Sequence, residues 1–194
     1  LPEFRVTCES AAPLLMHNGQ LIDPLSAYSK DIAAVSGKNK KTDADHLEMM
    51  RLEFLGGLYY DPEVGPFIPA ENLRKCLIEG ARFRKEGKDI ERGVFLTTIV
   101  NRLDYGDFPR DPEALLEHPQ FVNRVPVTVG RAKVMRTRPH FPSWSVTAQG
   151  WYNDEVIKSV EVLDTAFQTA GSLVGLCDRR PTYGRFTHTL EVIG

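Results

Sequence analysis

The chain has 194 residues, 42% of them hydrophobic and 26% charged, with a formal net charge of −2. That length suits one domain, or one domain with a sizeable insertion, able to bury its own core; the near-neutral balance excludes a globally basic protein, so any polyanion site must be a local patch. No apolar run approaches membrane-spanning length. Leu1-Pro2-Glu3-Phe4 reads as a trimmed or tag-derived start rather than a signal peptide. Cys8, Cys76 and Cys177, without CxxC spacing, read as reduced thiols of a cytoplasmic protein rather than as a metal site.

Phe4, Val6 and Cys8 alternate with Arg5, Thr7 and Glu9, the pattern of a half-buried strand. It continues extended to Met16, with a break or bulge at Pro13, and ends in the turn His17-Asn18-Gly19. Asp23 to Asn39, with Pro24, Ser26, Ser29, Ser36 and Gly37, reads as loop and closes in the lysine cluster around Lys40. Thr42 or Asp43 caps a helix to about Phe54, which Gly56-Gly57 ends. So long a stretch after the first strand marks residues 23–57 as an insertion. Leu58-Tyr59-Tyr60 reads as a short strand and Asp61 to Gly65 as its turn. Ala70 to about Lys85 has Leu73, Leu77, Ile78 and Ala81 on one helical face, with Arg74 and Lys75 on the others and Gly87 as its stop. Gly93 to Leu103 is an apolar strand pattern, and Asp111 caps a short helix through Glu117.

The strongest charge signal follows. Val122, Val125, Val127 and Val129 give a strand, and from His118 to Asn153 no acidic residue occurs, while Arg124, Arg131, Lys133, Arg136 and Arg138 do. Pro139-His140-Phe141-Pro142 reads as a turn or mobile loop, and Trp144 and Trp151 flank the strand Ser145 to Gly150. Arginines alternating beside aromatics on strands are the composition of a nucleic-acid track, cations for phosphates and ring faces for bases. A charge-protected sheet edge with Trp144 in the core is the structural alternative.

A final helix starting at Asn153 or Asp154 presents Val160, Leu163, Phe167, Ala170 and Val174. It runs into a loop where Gly175 and Gly184 bracket Arg179 and Arg180, with Arg185 beside them, before a closing strand from Arg185 to Ile193. A glycine bend with unencumbered N–H groups beside several guanidinium groups suits a phosphate chain. Strand, insertion, helix, strands, helix, strand is a βαββαβ plan of the ferredoxin or RRM type, α+β, with a helical insertion after the first strand and a basic hairpin. Two helices would cover one face of its sheet and leave the other free to meet RNA.

The run Tyr60-Asp61-Pro62-Glu63-Val64-Gly65-Pro66-Phe67-Ile68-Pro69-Ala70-Glu71-Asn72-Leu73-Arg74 resembles the segment of RAMP-superfamily CRISPR backbone subunits in which an Asp-Pro turn precedes an Ile-Pro-Gly-Ser-Ser-Leu-Lys/Arg helix start. Ala70, Glu71 and Asn72 depart from its Gly-Ser-Ser part. Ala12 to Gly19 is similar to the family's first strand and turn, and Gly175 to Phe186, ending Tyr-Gly-Arg-Phe, to its glycine-rich loop. The resemblance spans most of residues 1–194 as a single domain. It implies a cytoplasmic antiviral ribonucleoprotein subunit that binds guide RNA, associates with copies of itself along it and with other effector subunits, and meets a complementary target strand, with no cofactor. The expected RNA contacts are Arg74, Lys75, Arg131, Lys133, Arg136, Arg138, His140, Trp144, Arg179, Arg180, Gly184 and Arg185.

Some members of that family cut target RNA with a metal and an aspartate shortly before the Asp-Pro turn. Here that region reads Glu53-Phe54-Leu55-Gly56-Gly57-Leu58 without an aspartate, so a non-catalytic subunit is expected; Glu53 or Asp23 is the nearest geometric substitute. Two alternatives stand beside this expectation. One is a metal-free guide-processing ribonuclease of the same superfamily, with His17 or His140 as general base and Tyr28 or Lys30 assisting. The other is a viral or mobile-element protein binding single-stranded nucleic acid on this fold.

Overall fold

The structure, a computed structural model, describes residues 1–193. In chain order its elements are β1 (Glu3–Ser10), β2 (Leu14–Leu15), α1 (Ala27–Ser36), α2 (Asp43–Gly57), β3 (Tyr60–Asp61), β4 (Gly65–Pro69), α3 (Ala70–Arg82), α4 (Gly87–Gly93) and β5 (Val94–Leu96). There follow β6 (Val100–Asp104), α5 (Pro112–Leu116), β7 (Val122–Val129), β8 (Ala132–Phe141), β9 (Ser145–Tyr152), α6 (Val160–Thr169) and β10 (Phe186–Val192). The chain is α+β and forms two compact units: one of Leu1–Leu14, Tyr60–Asp107 and Pro142–Gly194, the other of Leu15–Tyr59 and Phe108–Phe141. Among the described residues no helix is long and apolar enough to cross a membrane.

The first unit is built on a sheet in the order β10-β1-β9-β6-β4-β3, with β5 also paired to β9. The ladders are antiparallel, and β1 lies between β10 and β9 with Val6 opposite both Leu190 and Ala148. The two-residue period of a strand therefore puts Phe4, Val6, Cys8, Val146 and Ala148 on one buried face. Helices α3 and α6 supply the matching apolar stripes, Leu73, Cys76, Leu77 and Ala81 from one and Leu163, Ala166 and Phe167 from the other. Phe4 and Phe167 meet edge to face at 6.2 Å. Each such large side chain contributes about 1.5–3 kcal/mol on burial, which outweighs the weak intrinsic preferences of these short elements.

Two glycines set how closely the layers approach. A Cβ on Gly80 of α3 would lie 2.6 Å from the Ala170 nitrogen, and one on Gly171 would lie 2.2 Å from the Phe186 carbonyl oxygen. Residues Ala170–Val174 continue α6 as a wider π turn that stops at Gly175.

In the second unit α2 begins with a reciprocal cap: Asp45 N–H donates to the Thr42 hydroxyl at 3.2 Å, and Thr42 N–H donates to the Asp45 carboxylate at 2.9 Å. Lys38 lies 2.5 Å from the same carboxylate, and its hydrogen bond, with that of Thr42, holds Asp45 down at about 2. The last turns of α2, Leu52 to Gly57, are buried. Arg51 on its outer side pairs with Glu113 of α5. Phe121 and Phe141 pack with ring centroids 5.7 Å apart, and Phe108 adds an edge at 4.9 Å.

Several sequence expectations are corrected. Residues 27–36, read as loop, form α1: Ser26 accepts the Ser29 N–H at its start, and no residue of the helix is buried, so it lacks the apolar stripe that identifies a helix in sequence. Helix α3 stops at Arg82, and Gly87 opens α4 rather than ending α3; a Cβ there would lie 2.6 Å from Arg82 Cγ, so the tight corner needs glycine. The apolar run from Gly93 is α4's last residue followed by two strands. The short strand falls on Tyr60–Asp61, not on Leu58–Tyr60. Asn153 starts a turn, its carbonyl accepting from Val156 and Ile157, and α6 begins only at Val160. Pro139 to Phe141 is the end of β8, and the hairpin turns instead at Gly130-Arg131.

Gly184 and Gly130 both have positive φ, +77° and +61°, but a Cβ on Gly184 would lie 2.0 Å from the Leu176 carbonyl while nothing lies within 4 Å of one on Gly130. Gly184→Ala is therefore expected to lose at least about 2 kcal/mol by denaturant unfolding, and Gly130→Ala only about 1 kcal/mol. Equal losses would show that backbone strain alone, and not the close approach, sets the cost.

Candidate nucleic-acid interface

The basic segment folds as a two-stranded hairpin in the second unit. Eight residue pairs run from Val122 opposite Pro139 to Val129 opposite Ala132, closed by Gly130-Arg131 with glycine first, the arrangement suited to a two-residue turn. The strand period separates its cations. Arg136 and Arg138 share one face of β8 with His140, while Lys133 shares the other with Met135 and Thr137, and Arg124 lies opposite Thr137 on that same face. Residues two apart on a strand project about 7 Å apart, close to the phosphate spacing of an extended single strand.

A carboxylate is buried against this cationic strand. Glu53 on α2 is only 7% exposed, and its Oε2 accepts the Thr137 N–H at 2.8 Å while Oε1 lies 3.4 Å from an Arg136 guanidinium nitrogen. Burial pushes the Glu53 carboxyl above the usual carboxylate range. The Thr137 N–H and the charges of Arg136, Arg138 and Arg124 oppose that shift without cancelling it. On the outer side, His140 donates its Nδ1–H to the Gln120 carbonyl at 2.8 Å, since a carbonyl oxygen can only accept.

The C-terminal loop belongs to the first unit, and four of its N–H groups, both glycines' among them, are already bonded rather than unencumbered as the sequence suggests. Gly175 N–H donates to the Ala170 carbonyl at 2.8 Å, Leu176 to Gly184 at 2.9 Å, Tyr183 to Arg179 at 3.1 Å and Gly184 to Pro13 at 2.7 Å. Gly184 is thus a packing residue, required by the close backbone crossing. Arg180 lies 3.2 Å from Glu79, and Arg179 sits at φ +52° on the rim of a groove that also holds Phe83 and Leu173. Arg185 is exposed, and its carbonyl receives the Ala11 and Ala12 N–H groups.

Other expected contacts are also occupied within the first unit. Trp144, expected beside RNA, is 3% exposed with its indole N–H on the Ala12 carbonyl at 3.0 Å; it is a core residue with no ring face for a base. Arg74 donates to the Glu91 carbonyl at 2.8 Å, and Lys75 is exposed beside Glu71. The start of α3 has no side-chain cap, its first N–H is taken by the Ile99 carbonyl, and Asn72 donates to Cys177 Sγ. Cys76 and Cys177 are pushed up to about 12 by burial, so neither is a thiolate at neutral pH.

The sheet face opposite α3 and α6 carries exposed Glu3, Glu9, Asp104 and Glu191 against Arg5 and Arg102, and Arg5 already lies 3.7 Å from Glu191. That balance repels a phosphate backbone. Of the residues singled out in the sequence, Arg131, Lys133, Arg136, Arg138 and His140 therefore lie on a hairpin whose strands carry no acidic residue, with Arg136, Arg138 and His140 on one face of β8 and Lys133 on the other.

No protein-family model matches the chain, and no curated protein matches it. The site is accordingly defined by its own geometry. Sequence reasoning missed the place of Glu53 and of the helix face His46, Met49, Met50 and Glu53 that lies along the hairpin, although the spacing of three, one and three residues marks one side of α2.

Because the folded protein holds Glu53 with a raised pKa, ionising it costs stability. Wild-type stability is therefore expected to fall, relative to Glu53→Gln, as pH rises from about 4 through the raised value, and the difference to level off in acid where the unfolded chain also keeps the proton. Urea unfolding across pH measures this. A constant difference between the two proteins would mean that the charges and the Thr137 N–H balance desolvation, and a difference rising with pH that they outweigh it.

Proposed function

We propose that this protein is a non-catalytic RNA-binding subunit of RAMP-superfamily type, cytoplasmic, which associates with copies of itself along a guide RNA. The observation that carries the reading is the hairpin β7–β8: four cations on β8 and its turn, Arg131, Lys133, Arg136 and Arg138, on strands without an acidic residue, in a chain of net charge −2. Such a local excess suits a polyanion with closely spaced charges, whose binding is driven by release of condensed counterions. The strand order β10-β1-β9-β6, with α3 and α6 on one face, supports a ferredoxin-like core, because it is the 4-1-3-2 order of a βαββαβ unit. On this reading the whole chain is one RRM-like domain, and residues 23–57 are an insertion into it.

In this proposal RNA runs along the hairpin rather than across the open sheet face, whose acidic residues disfavour it. Arg136→Ala and Arg138→Ala are each expected to weaken binding of a single-stranded RNA by up to a few kcal/mol and to lower the slope of log affinity against log salt by about one. Fluorescence anisotropy at four salt concentrations reads both quantities. Unchanged affinity and slope in both variants would remove the hairpin from the site. Self-association has its own measurement: a large species carrying nucleic acid, reduced to monomer by ribonuclease, is expected on light scattering of protein taken directly from cells.

One observation favours a second reading, the metal-free ribonuclease. With Nδ1–H given to Gln120, the neutral His140 ring has its lone pair on Nε2, the tautomer a general base uses. If His140 acts in this way, a hairpin RNA incubated in EDTA is cut at a discrete position by the wild type and not by His140→Ala. Intact RNA in both reactions supports the binding subunit.

A further inference from the structure

Within the second unit, the face of α2 and the strand β8 enclose a groove of about 670 Å³, a volume that suits a small organic ligand. Its lining is unusual for this chain. Met49, Met50 and Met135 line it, three of the four methionines in the sequence, and the fourth, Met16, is fully buried. Met135 is 40% exposed, a cost in water that a flat apolar ligand face would relieve. Around the methionines stand four cations, Lys41, Arg124, Lys133 and Arg136, against two carboxylates, Asp43 and Glu53.

We infer that this groove takes one unstacked nucleotide of the bound RNA, its base against the methionines and its phosphate on Arg124 and Lys133, with guanine preferred. The inference rests on the RNA-binding reading and names the part of the chain that grips a base rather than the backbone. Thioether groups are polarisable and pack favourably on aromatic rings, so a methionine wall accepts any base face. The preference comes from Glu53. A carboxylate offers about four acceptor positions, and this one uses one on the Thr137 N–H and one toward Arg136. Glu53 lines the groove, where guanine, with adjacent N1–H and N2–H donors, is the base best matched to two carboxylate oxygens. Adenine and cytosine present a single donor group beside an acceptor that the carboxylate repels.

Because three of four methionines line the groove and the fourth is in the core, methyl resonances of protein labelled at methionine report it with an internal control. On titration with GMP, the Met49, Met50 and Met135 signals are expected to move and Met16 to stay, with AMP and inorganic phosphate moving them less. A guanine-containing RNA is expected to move the same three signals at lower concentration, and Met135→Ala to weaken GMP binding several-fold while leaving the salt slope for RNA unchanged. If RNA binds in a salt-dependent way but no nucleotide or RNA moves the groove signals, the nucleotide site is overturned and RNA binding stands. Equal shifts with phosphate and GMP overturn the base contact, and AMP equal to GMP overturns the guanine preference. Failure of RNA to bind at all removes the reading on which the inference depends.

Discussion

The second unit depends on one buried contact, the Glu53 carboxylate against β8. Strand β8 pairs with β7 along one edge, and the Thr137 N–H points away from that ladder. A buried N–H without an acceptor costs a desolvation penalty of about 1–3 kcal/mol. Glu53 removes that cost, and its second oxygen faces Arg136. The same contact fixes α2 beside the hairpin, and so fixes which cations lie on which face. A serine or threonine at position 53 would be too short to serve both groups, and a neutral acceptor would leave the guanidinium of Arg136 without its charge partner.

The contact is costly because the acid is taken from water, as the raised pKa of Glu53 records. Replacing a whole buried ion pair by apolar side chains of similar volume is often neutral or stabilising, whereas removing one partner alone leaves the other uncompensated. A carboxylate at this position, in the middle of the chain's most basic segment, has a consequence that an apolar residue lacks: it draws down the local positive potential. The first unit shows a different constraint. There Gly80, Gly171 and Gly184 allow backbone crossings that no Cβ would fit, so its architecture is held by close packing of main chain rather than by charge.

The sequence made the alternating strands and the amphipathic helices legible because burial on one face imposes a period. Phe4, Val6 and Cys8 mark β1, and Leu73, Leu77 and Ala81 mark α3, as the periods of two and 3.6 require. The helix α1 was not legible, since it buries nothing and is defined by its Ser26 cap and local hydrogen bonds. The hairpin's cations were visible as a run without acids, but its turn was misplaced because Pro139 suggested a break where the chain continues extended at the end of β8. Trp144 was ambiguous for a similar reason: an aromatic between strands reads equally as platform or core, and only its hydrogen bond to Ala12 and its burial decide. Glu53 was hidden because its partner is a backbone N–H 84 positions away, which no local pattern encodes.

Charge is therefore segregated by architecture rather than by composition. The open sheet face of the first unit mixes four acids with two arginines, and its central Thr7 and Thr147 hydroxyls bond each other at 3.0 Å. Its C-terminal loop commits the Gly175, Leu176, Tyr183 and Gly184 N–H groups to backbone carbonyls and holds Arg180 against Glu79. These neutralised surfaces leave the hairpin as the place where positive potential is not cancelled by acids on the same strands. A polyanion responds to summed potential within a Debye length of about 8 Å at physiological salt, not to the chain's net charge. A protein of net −2 can then carry a polyanion site without being basic, provided that the fold keeps acids off the strands that carry the cations; Glu53, packed against β8 from α2, is buried and bonded to the Thr137 N–H.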